Sequence, residues 1–320
     1  MDNHKVIGVA ITGQDSMEVV ERVQQAEQMG VSAAWLTTGG AGRDALTLFA
    51  AVAVHTKKIL LGTSITPTWP RHPVAMAQQV RVLAELAQGR FRLGVGPSHK
   101  AGMEHTYGVE FHKPLSHLRE YLYILKALIQ QGEVNFDGTY YHAHARTGIP
   151  LEVPVMASAL RRGSFELCGA EADGAITWVC AGAYLRDVAV PAMQAGARLS
   201  GRDVPPLIAH APMCVNDDME EVRSATREQM GGYPSNPFYT RMFVDSGFPE
   251  VAKTQAWSDR MIDAVILGGN ESRVSERIQE MFSFGASEIL VTPILAGKNK
   301  AASMERTLSL IASVDASGHG

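Results

Sequence analysis

Two short runs suited to strands, joined by one helix-length stretch within Lys58–His99, constrain this chain more than any other feature. Lys58 to Ile65 (KILLGTSI) is apolar without an alternating polar face, as in a parallel strand buried on both sides. Thr66 to Pro73 (TPTWPRHP) is too rich in proline for the interior of a sheet or helix, and Pro73 suits the first turn of a helix over Val74 to Ala87. Gly89 closes that helix, and Arg90 to Gly96 (RFRLGVG) supplies the second strand. The result is one βαβ unit whose strands both end in loops able to carry chemistry.

The rest of the chain repeats the unit. Val6 to Thr12 is strand one, followed by a helix that Ser16 can cap and that runs to Met29. Ala33 to Thr37 is strand two, with a helix from about Asp44 to His55. After strand four, Pro97 to Pro114 reads as a long loop holding His99, Glu104, His105, Tyr107 and His112. A helix over Ser116 to Gln131 and a hairpin turning at Asp137-Gly138 follow. Strands five (Val153 to Ala157), six (Gly174 to Trp178), seven (Leu207 to Val215) and eight (Glu288 to Thr292) alternate with helices, and Gly231 to Asp263 reads as an aromatic-rich helical insertion. The last helix spans Ala301 to Ser313, with a frayed tail from Ala316. One junction recurs at Gly30, Gly169 and Gly285, each read as a glycine that stops a helix before a buried strand.

Eight strands alternating with helices predict an α/β chain forming a (β/α)8 TIM barrel, one domain over residues 1–320 with insertions after strands four and seven. A doubly wound nucleotide-binding sheet would carry GxGxxG after strand one, and Thr12-Gly13-Gln14-Asp15-Ser16 does not supply it. At 46% hydrophobic and 19% charged residues there is ample core material. The net charge of −4 argues against nucleic acid or an anionic membrane as partner. No signal-like start and no membrane-length apolar run are read, and three cysteines without CxxC spacing suit structural thiols in a cytoplasmic protein.

In such a barrel the site lies where strands end. The candidates are Thr37 and Thr38, Ser64 to Trp69, Gly96 to His99, Ala157 to Gly163, Thr177 and Trp178, and Val291 to Pro293. They hold few paired carboxylates and no nucleophile–base pair, which argues against hydrolysis by side chains alone. Small residues beside a tryptophan suit a flat ring with a phosphate-bearing tail. Ala157-Ser158-Ala159-Leu160-Arg161-Arg162-Gly163, joining a strand to a helix start, reads as the phosphate cradle; the competing reading is a solvated arginine pair. Of the histidines that could suggest a metal, only His99 stands at a strand end, so no metal is assigned, and His72 and His55 read as capping or surface residues.

The stretches LGTSITPT (61–68), PRHP (70–73), GRFRLGVG (89–96), REYL (119–122), LCGAEADG (167–174) and RVSERI (273–278) resemble the bacterial luciferase-like superfamily, in particular its branch of deazaflavin (coenzyme F420)-dependent oxidoreductases. The resemblance implies a (deaza)isoalloxazine at the strand ends, its tail phosphate near the loop after strand five, and a non-proline cis peptide at Ser64–Ile65. The cofactor contacts it implies, together with the positions above, are Thr38, Ser64, Ile65, Thr66, Gly96, Pro97, Ser98, Ala157, Ser158, Ala159, Leu160, Arg161, Arg162, Gly163 and Trp178. It also implies a homodimer acting on a small-molecule substrate. Two departures stand out: Thr37-Thr38 replaces an Asp-His pair found in many relatives, and His99 stands where sugar-phosphate oxidisers carry an acid. His99 is therefore expected to handle the proton, oriented by Glu104 or His105; the competing reading has it only bonding the ring or a neighbouring loop. The function expected is hydride transfer between coenzyme F420 and a small organic substrate; the alternatives are an FMN-dependent monooxygenase or a barrel that binds such a cofactor without turnover.

Overall fold

Residues 5–317 are described by a computed structural model of the chain. Eight parallel strands close into a ring: β1 Val6–Ala10, β2 Ala33–Leu36, β3 Leu60–Thr63, β4 Phe91–Gly96, β5 Val155–Ser158, β6 Ala175–Ile176, β7 Leu207–Val215 and β8 Glu288–Pro293. Each pairs with its neighbour in sequence, and β8 returns to β1 with Val6 opposite Glu288. This is the (β/α)8 barrel that the repeated unit predicts.

The side-chain alternation of a strand divides the core in two. One face packs the barrel against its helices through residues such as Ile7, Val9, Leu61 and Val155, all essentially solvent-free. The other face fills the barrel with Ala33, Trp35, Met156, Ile176, Ile208 and Leu290. Trp35 has room because β1 and β3 present glycine to it: a Cβ on Gly8 or Gly62 would lie 2.7 or 2.5 Å from its ring. Its indole N–H donates to Glu288 Oε1 at 3.1 Å. Glu288 also accepts from both terminal nitrogens of Arg92, at 2.5 and 2.9 Å, and the guanidinium carbon sits 4.6 Å from the Trp35 ring centroid. Arg92 on β4 and Glu288 on β8 stand four strands apart in a ring of eight, so this ion pair spans the barrel near the strands' N-terminal ends.

Several local readings change. Asp15, not Ser16, caps the first helix, Ser16–Gln28, accepting from Glu18 N at 2.9 Å. Pro97–Pro114 is not simply a loop, since Lys100–Tyr107 is helical. The run Lys300–Ser317 is a helix of 18 residues, extending past Ser313; the rest of the expected tail, like residues 1–4, lies outside the described residues. Gly30 and Gly285 do end helices with positive φ (88° and 101°). Gly169 instead lies inside the helix Arg162–Glu171, where a Cβ would meet Met193 O at 2.1 Å. Gly196 of the helix Val190–Leu199 answers it, with Glu166 O 2.0 Å from its own would-be Cβ. These two glycines let the helices touch backbone to backbone. The insertions fall after β4, with the hairpin Glu133–Asp137/His142–Arg146, and after β7. Among the described residues no helix is long and apolar enough to cross a membrane. The three cysteines are buried, and burial pushes the thiols of Cys168 and Cys180 up to about 12 and that of Cys214 up to about 11.

Glu27 ties the end of the first helix to the start of β3. Its Oε1 accepts from Lys57, Lys58 and Ile59 N at 2.9, 2.6 and 2.9 Å. Burial raises its pKa, but these donors, with Arg90 nearby, outweigh that and hold it below 4.5. A carboxyl depressed by folding stabilises the protein above its unfolded value, and the benefit fades as pH falls through the folded one. Glu27→Gln is expected to lose about 1–3 kcal/mol at pH 7 in urea unfolding, because donors to a charged acceptor lose it. The difference from the parent should shrink below about pH 4 as the parent's carboxylate protonates. An equal gap at both pH values would show that the charge contributes nothing.

Candidate functional site

The inner layer of the barrel fixes what stands above it. Moving two residues along each strand keeps a side chain on the inner face and lifts it one layer toward the strand C-terminus. Above Met156, Ile176, Ile208 and Leu290 this places Ser158, Trp178, His210 and Thr292; above Gly62 and Gly94 it places Ser64 and Gly96. The ring at the mouth is thus small or polar on the β3–β5 side and aromatic on the β6–β7 side.

On the first side, Ser64–Ile65 is a cis peptide between non-proline residues, as the resemblance implies. The Thr37 hydroxyl donates to Ser64 O at 2.7 Å, and Ser64 N donates to Leu36 O at 2.8 Å, so β2 holds this bulge. Gly96 brings the candidates together. A Cβ there would lie 2.1 Å from Ser158 Oγ and 3.4 Å from Ile65 Cδ1, so the absence of a side chain lets these residues meet. Thr66 pairs with Val95, and the hydroxyls of Thr66 and Thr68 are buried without a hydrogen-bond partner among the described residues. Thr38 is otherwise engaged: its hydroxyl accepts from Ala45 N at 3.0 Å at a helix start, and its own N–H donates to Ile65 O at 3.2 Å. Pro97 and Ser98, the latter at φ 57°, carry the chain out of β4.

The loop after β5 is built partly as expected. Ala157 and Ala159 are buried, and Leu160 O accepts from Tyr184 OH at 3.1 Å. Arg161 and Arg162 are both exposed at the helix start, and Arg162 reaches Glu166 at 3.8 Å. The Ser164 hydroxyl already accepts from Leu160 and Arg161 N at 3.1 Å each. Of the main-chain donors in this turn, those of Arg162 and Gly163 have no acceptor within the helix. Anion binding here therefore falls to those two amides and the two guanidinium groups.

His99 lies at the mouth, half-buried, but neither Glu104 nor His105 holds it. Its Nε2 is 3.1 Å from the hydroxyl of Tyr239, which comes from the insertion after β7. Glu104 instead accepts from Phe111 N at 3.4 Å. Burial lowers the His99 pKa below 6.5 and raises that of Tyr239, so both are neutral near pH 7. From Tyr239 the rings continue to Tyr233 (5.0 Å between centroids), to Trp178 (5.6 Å) and to His210 (4.2 Å). The insertion thus bridges the mouth from the β4 loop to the end of β6. His210, whose Nε2 is 2.7 Å from Thr292 Oγ1, is buried, which pushes its pKa down to about 3. The sequence reading passed over His210, Tyr233 and Tyr239; the alternation above Ile208 could have found the first. His72 caps the helix Pro73–Ala87 through Nδ1, as expected.

A family profile described as luciferase-like monooxygenase matches residues 6–288. A 5,10-methylenetetrahydromethanopterin reductase from Archaeoglobus fulgidus is 26% identical over 305 residues, covering 87% of this chain and 90% of that protein. Among solved structures, an F420-dependent secondary alcohol dehydrogenase in complex with an F420-acetone adduct superposes with a TM-score of 0.81 at 19% identity, covering 97% and 99% of the two chains. The oxygenating constituent of 3,6-diketocamphane monooxygenase from Pseudomonas putida, in complex with FMN, gives 0.73 at 18% identity and 98% coverage of each. At those identities the structural likenesses speak for the fold alone.

Proposed function

Because the chain belongs to the luciferase-like monooxygenase family, we propose that it is an oxidoreductase moving a hydride between coenzyme F420 and a small organic substrate at the mouth of its barrel. The observation carrying this reading is the side-chain-poor face where Gly96 and Ser158 meet Ile65, a place a planar ring can lie against. The buried, unpartnered hydroxyl of Thr66 beside it would gain an acceptor or donor from such a ring. An F420-dependent glucose-6-phosphate dehydrogenase from Gordonia bronchialis, 31% identical over 207 residues, supports the deazaflavin, whose redox chemistry the cofactor itself supplies. The protein's part is to orient the ring, hold the tail phosphate near Arg162 and Gly163, and handle a proton at His99. FMN is the second reading, as the cofactor of a monooxygenase of this family. A homodimer belongs to the same proposal and is checked by light scattering.

Titrating the protein with F420 and with FMN, read by cofactor fluorescence, separates the two cofactors. F420 binding much more tightly than FMN is expected; the reverse order sinks the F420 assignment. Turnover with a substrate panel then separates an enzyme from a barrel that only binds the cofactor. Arg161→Ala or Arg162→Ala is expected to weaken F420 binding by about 1.5–3 kcal/mol where that guanidinium makes a charged hydrogen bond to the phosphate. If both variants bind like the parent, the cradle is made of main-chain amides alone.

A further inference from the structure

A buried, uncharged imidazole stands at the barrel mouth apart from His99 and has no part in the reaction as proposed. His210 sits one layer above Ile208 on the inner face of β7, packed against Trp178, with Nε2 2.7 Å from Thr292 Oγ1. Its main-chain N–H donates to Thr177 Oγ1 at 3.2 Å, which fixes the strand beneath the ring. Nδ1 makes no hydrogen bond to the described residues and is not among their fully enclosed unpartnered atoms, and the residue as a whole keeps 8% exposure. We infer that His210, held by Thr292, is the hydrogen-bonding contact for the reacting oxygen of an uncharged, apolar-bodied ketone or secondary alcohol, against a wall made by Trp178, Tyr233 and Tyr239.

The inference rests on the oxidoreductase reading of this mouth and adds the substrate class. Three observations support it. A threonine hydroxyl can donate to Nε2 or accept from it, which leaves Nδ1 as donor or acceptor respectively. The first arrangement suits a ketone oxygen and the second an alcohol. The wall is a chain of ring contacts from His210 through Trp178, Tyr233 and Tyr239, giving broad apolar contact with phenol hydroxyls at its edge. All of these groups are uncharged near neutral pH, since burial raises the phenol pKa values and lowers those of the imidazoles. Such a surface offers nothing to offset the desolvation of a phosphate or carboxylate. His210 transfers no atom in this scheme. In the ketone direction the carbonyl carbon would gain a hydride from the reduced deazaflavin of the proposed function and the oxygen a proton taken up from solvent at the rim and relayed past His99, while His210 would keep its hydrogen bond to that oxygen.

The test is calorimetric binding of cyclohexanone, acetophenone and glucose 6-phosphate, with and without F420 present, to the parent, His210→Phe and Thr292→Val. The parent is expected to bind at least one ketone saturably and to bind glucose 6-phosphate far more weakly. His210→Phe keeps a ring but no polar atom, so the ketone should bind about fivefold to tenfold more weakly, the effect of one neutral hydrogen bond. Thr292→Val should show a loss of about twofold to fivefold, because the imidazole is no longer oriented. F420 affinity should stay within about twofold in both variants, as neither side chain lies on the Gly96–Ser158 face. Binding of neither ketone by the parent, glucose 6-phosphate binding as tightly as a ketone, or unchanged ketone affinity in His210→Phe each overturns the inference. Should His210→Phe fail to show a cooperative melt, Thr292→Val decides by the same criterion. Failure of the parent to bind F420 at all would count against the cofactor reading instead, because the ketone arm is also run without it.

Discussion

His99→Gln is expected to lose about 10²–10⁴ in turnover while keeping its F420 affinity, the range for removing a positioned general acid or base. The geometry behind this is specific. His99 leaves β4 at the mouth, and Tyr239 OH, 3.1 Å from Nε2, holds the ring from across the opening. Phe238 and Tyr239 pack on the imidazole at 5.7 and 5.2 Å between centroids. Burial among them lowers its pKa below 6.5, so at pH 7 the imidazole is neutral and able to take a proton. If it is the base, kcat/KM should fall on the acid side, at a pH below 6.5, and that limb should vanish in His99→Gln. Tyr239→Phe should move the limb without abolishing turnover. A His99 that only grips the cofactor would behave in the opposite way, losing F420 affinity and keeping turnover at saturation. If His99→Gln retains both, the proton passes through another group or water.

Glu288→Ala is expected to cost about 3–5 kcal/mol, because it leaves the Arg92 guanidinium in the barrel without its counter-charge. Glu288 is 4% exposed and takes hydrogen bonds from Arg92 and Trp35, so the truncation removes a partner from two buried donors. Arg92 Nε already lacks a partner among the described residues, so nothing nearby stands ready to compensate. Replacing both ends, Arg92→Met with Glu288→Leu, should restore much of the loss, since two apolar side chains leave no uncompensated charge. Urea unfolding of the three variants measures this. A single-variant loss under about 1 kcal/mol would mean the pair is as weakly coupled as an exposed one.

The eight strands were legible because each is a short, nearly continuous apolar run set off by charges, glycine or proline. The helix Lys100–Tyr107 was not, since Met103 is its sole buried residue and it shows no apolar stripe to read. Gly169 was misread for a related reason. Sequence shows a glycine near a helix end, but only the approach of Met193 O shows that the position needs an absent side chain. At the candidate site, Ser64, Ile65, Gly96 and Ser158 were legible as strand-end positions, and the structure sets Ile65, Gly96 and Ser158 against one another. The orienting group of His99 was missed because Tyr239 is 140 residues away, in an insertion without periodicity. His210 was hidden by its own strand: β7 is buried along its whole length, so its apolar neighbours mask which residues face inward.

The transverse strut of Arg92 and Glu288, with Trp35 laid across it, makes the barrel a well with a floor. If the proposed function holds, cofactor, substrate, product and protons would all share the one rim opposite that floor. His210 over Ile208 and Ser158 over Met156 stand in the same layer, so a substrate at the first and a ring at the second would lie side by side and not one beneath the other. Tyr239 and His99, joined across the opening, would then be the groups that every arrival and departure must pass.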